Sequence, residues 1–275
     1  MKTTKGITAA IIIAVITVIA LTVAIGYFAG RNKEAQDLIT EAEAEASAEE
    51  LLDDVAKNES SGKIVKPEAW YGFYESSGDM ERDIDLEGYR SRCPDVYAVI
   101  EIPGTDIEEP IAYCEDANDP FYFTHDIDGH PSDKGMIITD SMNSPDLSDP
   151  VTVIYGHDPE DGTMFSRLHL FRDSQFFGEH DKVKIYLEDA ELIYRIYACY
   201  IGSSDHILVN NDFSDPTAFG QYFDSIKNVR DLSMNIRNEA KPYYDDHVIT
   251  LVTHCKDDSK RLFVHAVLWQ VRWGK

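Results

Sequence analysis

The chain has 275 residues, 43% of them hydrophobic, and a formal net charge of −25 from 25 basic and 50 acidic side chains. That length carries one core of ordinary size plus extensions. The acidity argues against nucleic acid as a partner, because phosphate recognition needs clustered Lys and Arg.

Residues 1–6 carry Lys2 and Lys5, and residues 7–29 follow as 23 residues without a charge. At about 1.5 Å per residue that run spans about 34 Å, enough for a hydrocarbon core of about 30 Å. It is too long for a cleaved signal peptide, and no Ala-x-Ala site follows it. A single transmembrane anchor is expected, with residues 1–6 inside and the bulk of the chain outside the membrane. Residues 30–66 are dominated by Glu, Ala and Asp with no sustained apolar stripe, which reads as a solvated stalk. A folded domain is expected over residues 67–275.

Within that domain residues 85–94 read as a helix stopped by Pro94. Strands are expected at 96–102, 109–113, 136–139 and 151–155, with a short helix at 117–123 and a polar loop at 125–134. Residues 163–177 read as helical or turn-like, and 182–187 with 191–200 as a hairpin. Residues 215–228 are amphipathic, with Phe219, Tyr222, Phe223 and Ile226 on one face. The last two strands, 248–255 and 261–268, flank the polar loop 256–260. About eight strands and few helices predict a mostly β, mixed or antiparallel barrel.

The chemistry centres on that last pair. Cys255 ends one strand and Arg261 begins the next, so antiparallel pairing brings a thiol close to a fixed cation, which favours thiolate. His157 leaves the strand 151–155 through Gly156, where a scaffold displays function, although a plain loop histidine fits the spacing equally well. His125, His130, His169 and His180 read as solvated, and His265 as a strand histidine. The four cysteines form no Cys-x-x-Cys pair or metal-ligand spacing, so free thiols are expected. Cys93 and Cys199 read as structural, and Cys114, in a loop, is the second candidate thiol. Nothing calls for a metal or another cofactor, and Glu101, Glu108 and Glu109 read as solvated carboxylates.

Four blocks of sequence carry a family resemblance. They are Pro94-Asp95-Val96-Tyr97-Ala98-Val99-Ile100-Glu101-Ile102-Pro103-Gly104-Thr105, Tyr122-Phe123-Thr124-His125-Asp126 with Gly135-Met136-Ile137-Ile138-Thr139-Asp140, Thr152-Val153-Ile154-Tyr155-Gly156-His157, and Thr250-Leu251-Val252-Thr253 with Cys255 and Arg261. From about Asp85 to the C-terminus the chain resembles the sortases, and among them class B. The resemblance implies an eight-stranded sortase-type β-barrel with N-terminal helices and a helix between the sixth and seventh strands. It implies a His157–Cys255–Arg261 site; Thr253 and His254, next to that thiol at the strand end, are candidate substrate contacts. Cys255 would attack the carbonyl of a Thr in a C-terminal sorting signal, of the Asn-Pro-x-Thr type in class B. His157 would carry the proton and Arg261 would hold the substrate or the oxyanion. The acceptor would be an amine of a cell-wall precursor or of a pilin-like protein, at a Gram-positive-type cell envelope.

One departure stands out. The family pattern is Thr-Leu-x-Thr-Cys, and here His254 intervenes before Cys255. Because side chains alternate along a strand, the extra residue turns Cys255 to the opposite face unless a β-bulge at 253–254 restores the direction. That departure favours one alternative, a catalytically impaired surface binding module of the same fold; the other alternative is a hydrolysing cysteine protease, because water can resolve any thioacyl intermediate.

Overall fold

The structure, a computed structural model, describes residues 79–116 and 119–274. The expected anchor and stalk lie outside the described residues. Within them, no helix is long and apolar enough to cross a membrane.

Eight strands close a barrel: β1 Val96–Ile102, β2 Ile107–Tyr113, β3 Ile137–Thr139, β4 Val151–Tyr155, β5 Lys182–Tyr186, β6 Ala190–Ser203, β8 Val248–His254 and β9 Lys260–Trp273. Their order is β5-β1-β2-β3-β4-β8-β9-β6, and β6 pairs back onto β5. The two-residue strand β7, Asn235–Ile236, adds to the far half of β6, where β5 has ended. The β2–β3 and β4–β8 pairs are parallel and the other pairs antiparallel.

The expected strands thus form, with small shifts at their ends, and β7 is an addition. The short helix moves to α2, Phe121–Thr124, after α1 at Leu86–Arg90. The segment expected to be helical or turn-like becomes a 3-10 helix, Met164–Arg172, followed by α3, Ser174–Glu179. Between β6 and β7 lie α4, Ile207–Asn210, and α5, Pro216–Ser225. Asp215 caps α5 by accepting from Thr217 N, and Pro216 occupies its first turn, where a missing N–H costs nothing.

β8 shows why these strands read as nearly continuous apolar runs, since both of its faces are covered. Ile249 and Leu251 point into the barrel core. Val248 and Val252 point the other way, into a second core that includes Phe219 and Phe223 of α5. The odd positions of β8 therefore face the barrel interior and the even positions the α5 side. The same alternation runs along β9, where Leu262 and Val264 point inward and Phe263 points outward.

His265 lies fully buried in the outer core. Its Nε2 is 3.0 Å from the Tyr200 hydroxyl and its Nδ1 is 2.8 Å from Thr250 Oγ1. Burial pulls its pKa down to about 3. The unfolded chain titrates this group near its ordinary value of about 6.5. Between those two values the unfolded state binds more protons than the folded one, so this contribution to stability is lost as the pH falls from 6.5 towards 3. A His265→Gln variant is expected to flatten this part of the acid limb in urea melts across that range. An unchanged slope would show that another group sets it.

Candidate active site

The site forms where β4, β8 and β9 end together. The parallel β4–β8 pair runs to Tyr155 and Val252, and Gly156 N extends it by donating to Val252 O at 3.1 Å. Thr253 Oγ1 then donates to Gly156 O at 2.7 Å and ties the strand ends together. Gly156 is needed for close approach: a Cβ there would lie 2.6 Å from Cγ of Phe165. Phe165 in turn donates its backbone N–H to His157 O at 3.0 Å. His157 is thereby held at a fixed point on the rim of the barrel.

Its ring lies 5.8 Å from the Phe123 ring on one side and 5.8 Å from the His254 ring on the other. Nε2 of His157 is buried with no hydrogen-bond partner. Desolvation lowers the pKa of His157, partly offset by a backbone hydrogen bond to Phe123, so the neutral ring is favoured. His254 is directly opposite Arg261 in the β8–β9 ladder. Its pKa is also lowered, first by desolvation and then by the charges of Arg261 and His157. Arg261 Nη1 donates to the carbonyl oxygens of Asp258 at 3.0 Å and Lys260 at 2.8 Å. His157, His254 and Arg261 line one groove of about 560 Å³ together with Cys114, Tyr155 and His206.

Cys255 is not in that groove. The β8–β9 ladder runs without a break through Thr253–Leu262 and His254–Arg261, so no bulge resets the alternation. Cys255 falls on the inward-facing side, packs against the barrel core, and opens into a separate cavity of about 400 Å³. His169, Arg172, Arg230 and Asp231 line that cavity. The thiol pKa is raised, first by burial and then by the charge of Asp158, against opposing effects of Arg172 and Arg261. The expectation of an activated thiolate beside Arg261 therefore does not describe this arrangement. Thr253 is buried with its hydroxyl committed to Gly156, so it supports the rim rather than facing the groove. All four cysteines are free.

Two histidine–carboxylate pairs escaped the sequence reading. His206 Nε2 lies 3.0 Å from Asp140 Oδ2, which also accepts from the Tyr155 hydroxyl at 3.0 Å. His169 Nε2 lies 3.1 Å from Asp158 Oδ2. The first pair joins residues far apart in the chain, and nothing local signals it. The second joins residues 11 apart on different segments, and nothing local signals it either. Of the three glutamates read as solvated, Glu108 is exposed and pairs with Arg82 at 2.6 Å, whereas Glu101 is partly buried and accepts from Tyr186 at 2.8 Å.

A closed eight-stranded barrel that gathers a histidine, an arginine and a strand-end thiol at one rim defines a narrow class of folds. The Sortase domain model matches residues 100–269. Sortase B of Listeria monocytogenes is 28% identical over 169 residues, which cover 62% of this chain and 66% of that protein. The crystal structure of Clostridium perfringens sortase B superposes with a TM-score of 0.59 at 24% identity, covering 67% of this chain and 100% of that one. A Staphylococcus aureus sortase B–substrate complex gives 0.58 at 22% identity, covering 67% and 84%. The chain belongs to the sortase family, within class B.

Proposed function

We propose that this protein is a cysteine transpeptidase that acts on sorting-signal peptides bound in the groove lined by His157, His254 and Arg261. The observation that carries the reading is the convergence of His157 and Arg261 on one groove at the end of β8, one residue from a free thiol. Cys255 attacks the carbonyl of a Thr in the signal, the C–N bond breaks, and a thioester forms. His157, kept neutral by its burial, takes the thiol proton and passes it to the leaving amine. Arg261 stabilises the oxyanion. To reach the groove, Cys255 exchanges faces with His254, which breaks only the last pair of the β8–β9 ladder. An Asn-Pro-x-Thr-type signal on a surface protein, an amine of a cell-wall precursor or pilin, and an anchored position outside the membrane complete the reading. That the Staphylococcus aureus relative forms a substrate complex supports a substrate site in such a fold.

One observation favours a second reading. His254 occupies the position opposite Arg261 and faces His157, so the groove as folded is lined for binding without acylation. The two readings separate by intact mass after incubation with Asn-Pro-x-Thr-type peptides. Transpeptidation predicts an acyl adduct on Cys255 that Cys255→Ala abolishes and Cys114→Ala leaves in place. Peptide binding without any adduct would favour the second reading. An added amine separates transfer from hydrolysis by the product formed.

A further inference from the structure

The groove holds two imidazoles side by side, and one of them has a bare nitrogen. The His157 ring donates to the Phe123 carbonyl, and because its Nε2 has no partner the donor is Nδ1. Nε2 therefore carries the lone pair. A histidine that gives one N–H to a backbone carbonyl and leaves the other nitrogen bare has the arrangement of a metal ligand. The second imidazole is His254, which is exposed and lines the same groove. The two ring centroids are 5.8 Å apart, with the planes inclined by 37°. Two imidazoles on one zinc ion, with Zn–N of about 2.0–2.1 Å, have centroids about 5 Å apart at the tetrahedral angle and about 6 Å when that angle opens. The pair is already spaced as two ligands of one ion.

We infer that His157 and His254 form a site for one divalent transition-metal ion of the zinc class, and that this ion shuts the groove. A turn of the exposed His254 ring admits the ion to Nε2 of His157, and water completes the coordination. Magnesium and calcium do not suit the pair, because they take oxygen ligands. The charge of Arg261 opposes a cation here, but its guanidinium is turned to the carbonyls of Asp258 and Lys260, and the carboxylates of Asp158 and Asp258 act on His254 in the opposite sense. Binding has two consequences. The lone pair of His157 is occupied, so it takes no proton from a thiol. His254 is held on the groove face, so Cys255 stays on the inward side of β8. The ion is thus an inhibitor and not a cofactor. These consequences rest on the transpeptidase reading; the binding itself does not. A competing site exists on the loop at residues 125–134, where Asp126, Asp128 and His130 bring ligand atoms within 4.8 Å of one another. There Asp128 is already engaged by Arg92 through two hydrogen bonds of 2.7 Å.

The test is a calorimetric titration of zinc into the full-length chain, in detergent and without a histidine tag. Excess magnesium is present to fill sites made only of carboxylates. One zinc per chain is expected, with His157→Ala and His254→Ala each weakening binding at least about ten-fold. Cys255→Ala and His130→Ala are expected to bind as the parent does. Undiminished binding by His254→Ala would overturn the site, and that exposed position reads it out even if the His157 variant does not fold. Loss of binding in Cys255→Ala would show that the thiol, not His254, is the second ligand, and loss in His130→Ala would move the ion to the competing loop; either result overturns the inference. Zinc is also expected to slow adduct formation by an Asn-Pro-x-Thr-type peptide, with the rate restored by EDTA. An adduct formed at the same rate with the site filled would overturn the inhibitory role. Zinc binding as expected with no adduct under any condition would instead count against the transpeptidase reading and leave the metal site standing.

Discussion

Deletion of His254 is expected to raise the rate of Cys255 acylation by a sorting-signal peptide at least about ten-fold, because it removes the need for the thiol to change faces. In the present register the last β8–β9 pair is His254 with Arg261, and Cys255 follows it on the inward side. Removing one residue places the thiol opposite Arg261 and facing His157. It also leaves behind Asp158, whose charge contributes to raising the thiol pKa. The two controls are His254→Ala, which keeps the register and should bring no comparable gain, and the deletion combined with one glycine inserted in the 256–259 loop, which restores loop length. The readout is the initial rate of adduct formation by intact mass. A folded deletion variant that acylates more slowly than the parent would show that Cys255 works from its present side. If the parent forms no adduct and the deletion variant does, the groove is intact and only the thiol is displaced.

Phe165→Ala is expected to cost about 3–5 kcal/mol of stability, the usual range for removing a buried aromatic ring. Phe165 is fully buried, belongs to the barrel core and lies against Gly156. Its loss leaves a cavity directly beneath the residue that positions His157. Gly156→Ala is expected to destabilise by about 1–3 kcal/mol through overpacking, since its Cβ meets the same ring. The two substitutions relieve each other, so the double variant should cost clearly less than the sum of the two. Urea titrations of the four proteins measure this directly. Additive costs, or a cost for Phe165→Ala below about 1 kcal/mol, would show that the rim is held by other contacts.

The barrel was legible because its strands are short, β-rich runs bounded by turn residues. Val96–Ile102 and Val151–Tyr155 match in structure the segments read from sequence. β7 was not legible: two residues, Asn235 and Ile236, carry no periodicity and pair only because β6 runs past the end of β5. The groove-lining His157 and Arg261 were found from strand-end position and family resemblance. The direction of Cys255 followed from counting residues along β8, and the unbroken ladder decides between the two outcomes that count allowed. From sequence alone His169 reads as a solvated loop residue, because its partner Asp158 lies 11 positions away, beyond the end of β4. Pairs of this kind are created by the fold, and a linear reading has no signal strong enough to find them.

The closed order of strands has a consequence for how any peptide is held. Each of the eight barrel strands has a hydrogen-bonded neighbour on both sides, because β6 returns to β5. An open sheet can capture an extended chain by adding it as one more strand, which recognises the main chain and is largely indifferent to sequence. The barrel wall offers little such edge. A ligand in the groove of His157 and Arg261 must instead be gripped through its side chains and its polar ends. Selectivity then depends on a few rim residues and the loops that carry them. Those loops can be exchanged without disturbing the hydrogen-bonded ring beneath, so the barrel serves as a fixed mount for changeable recognition.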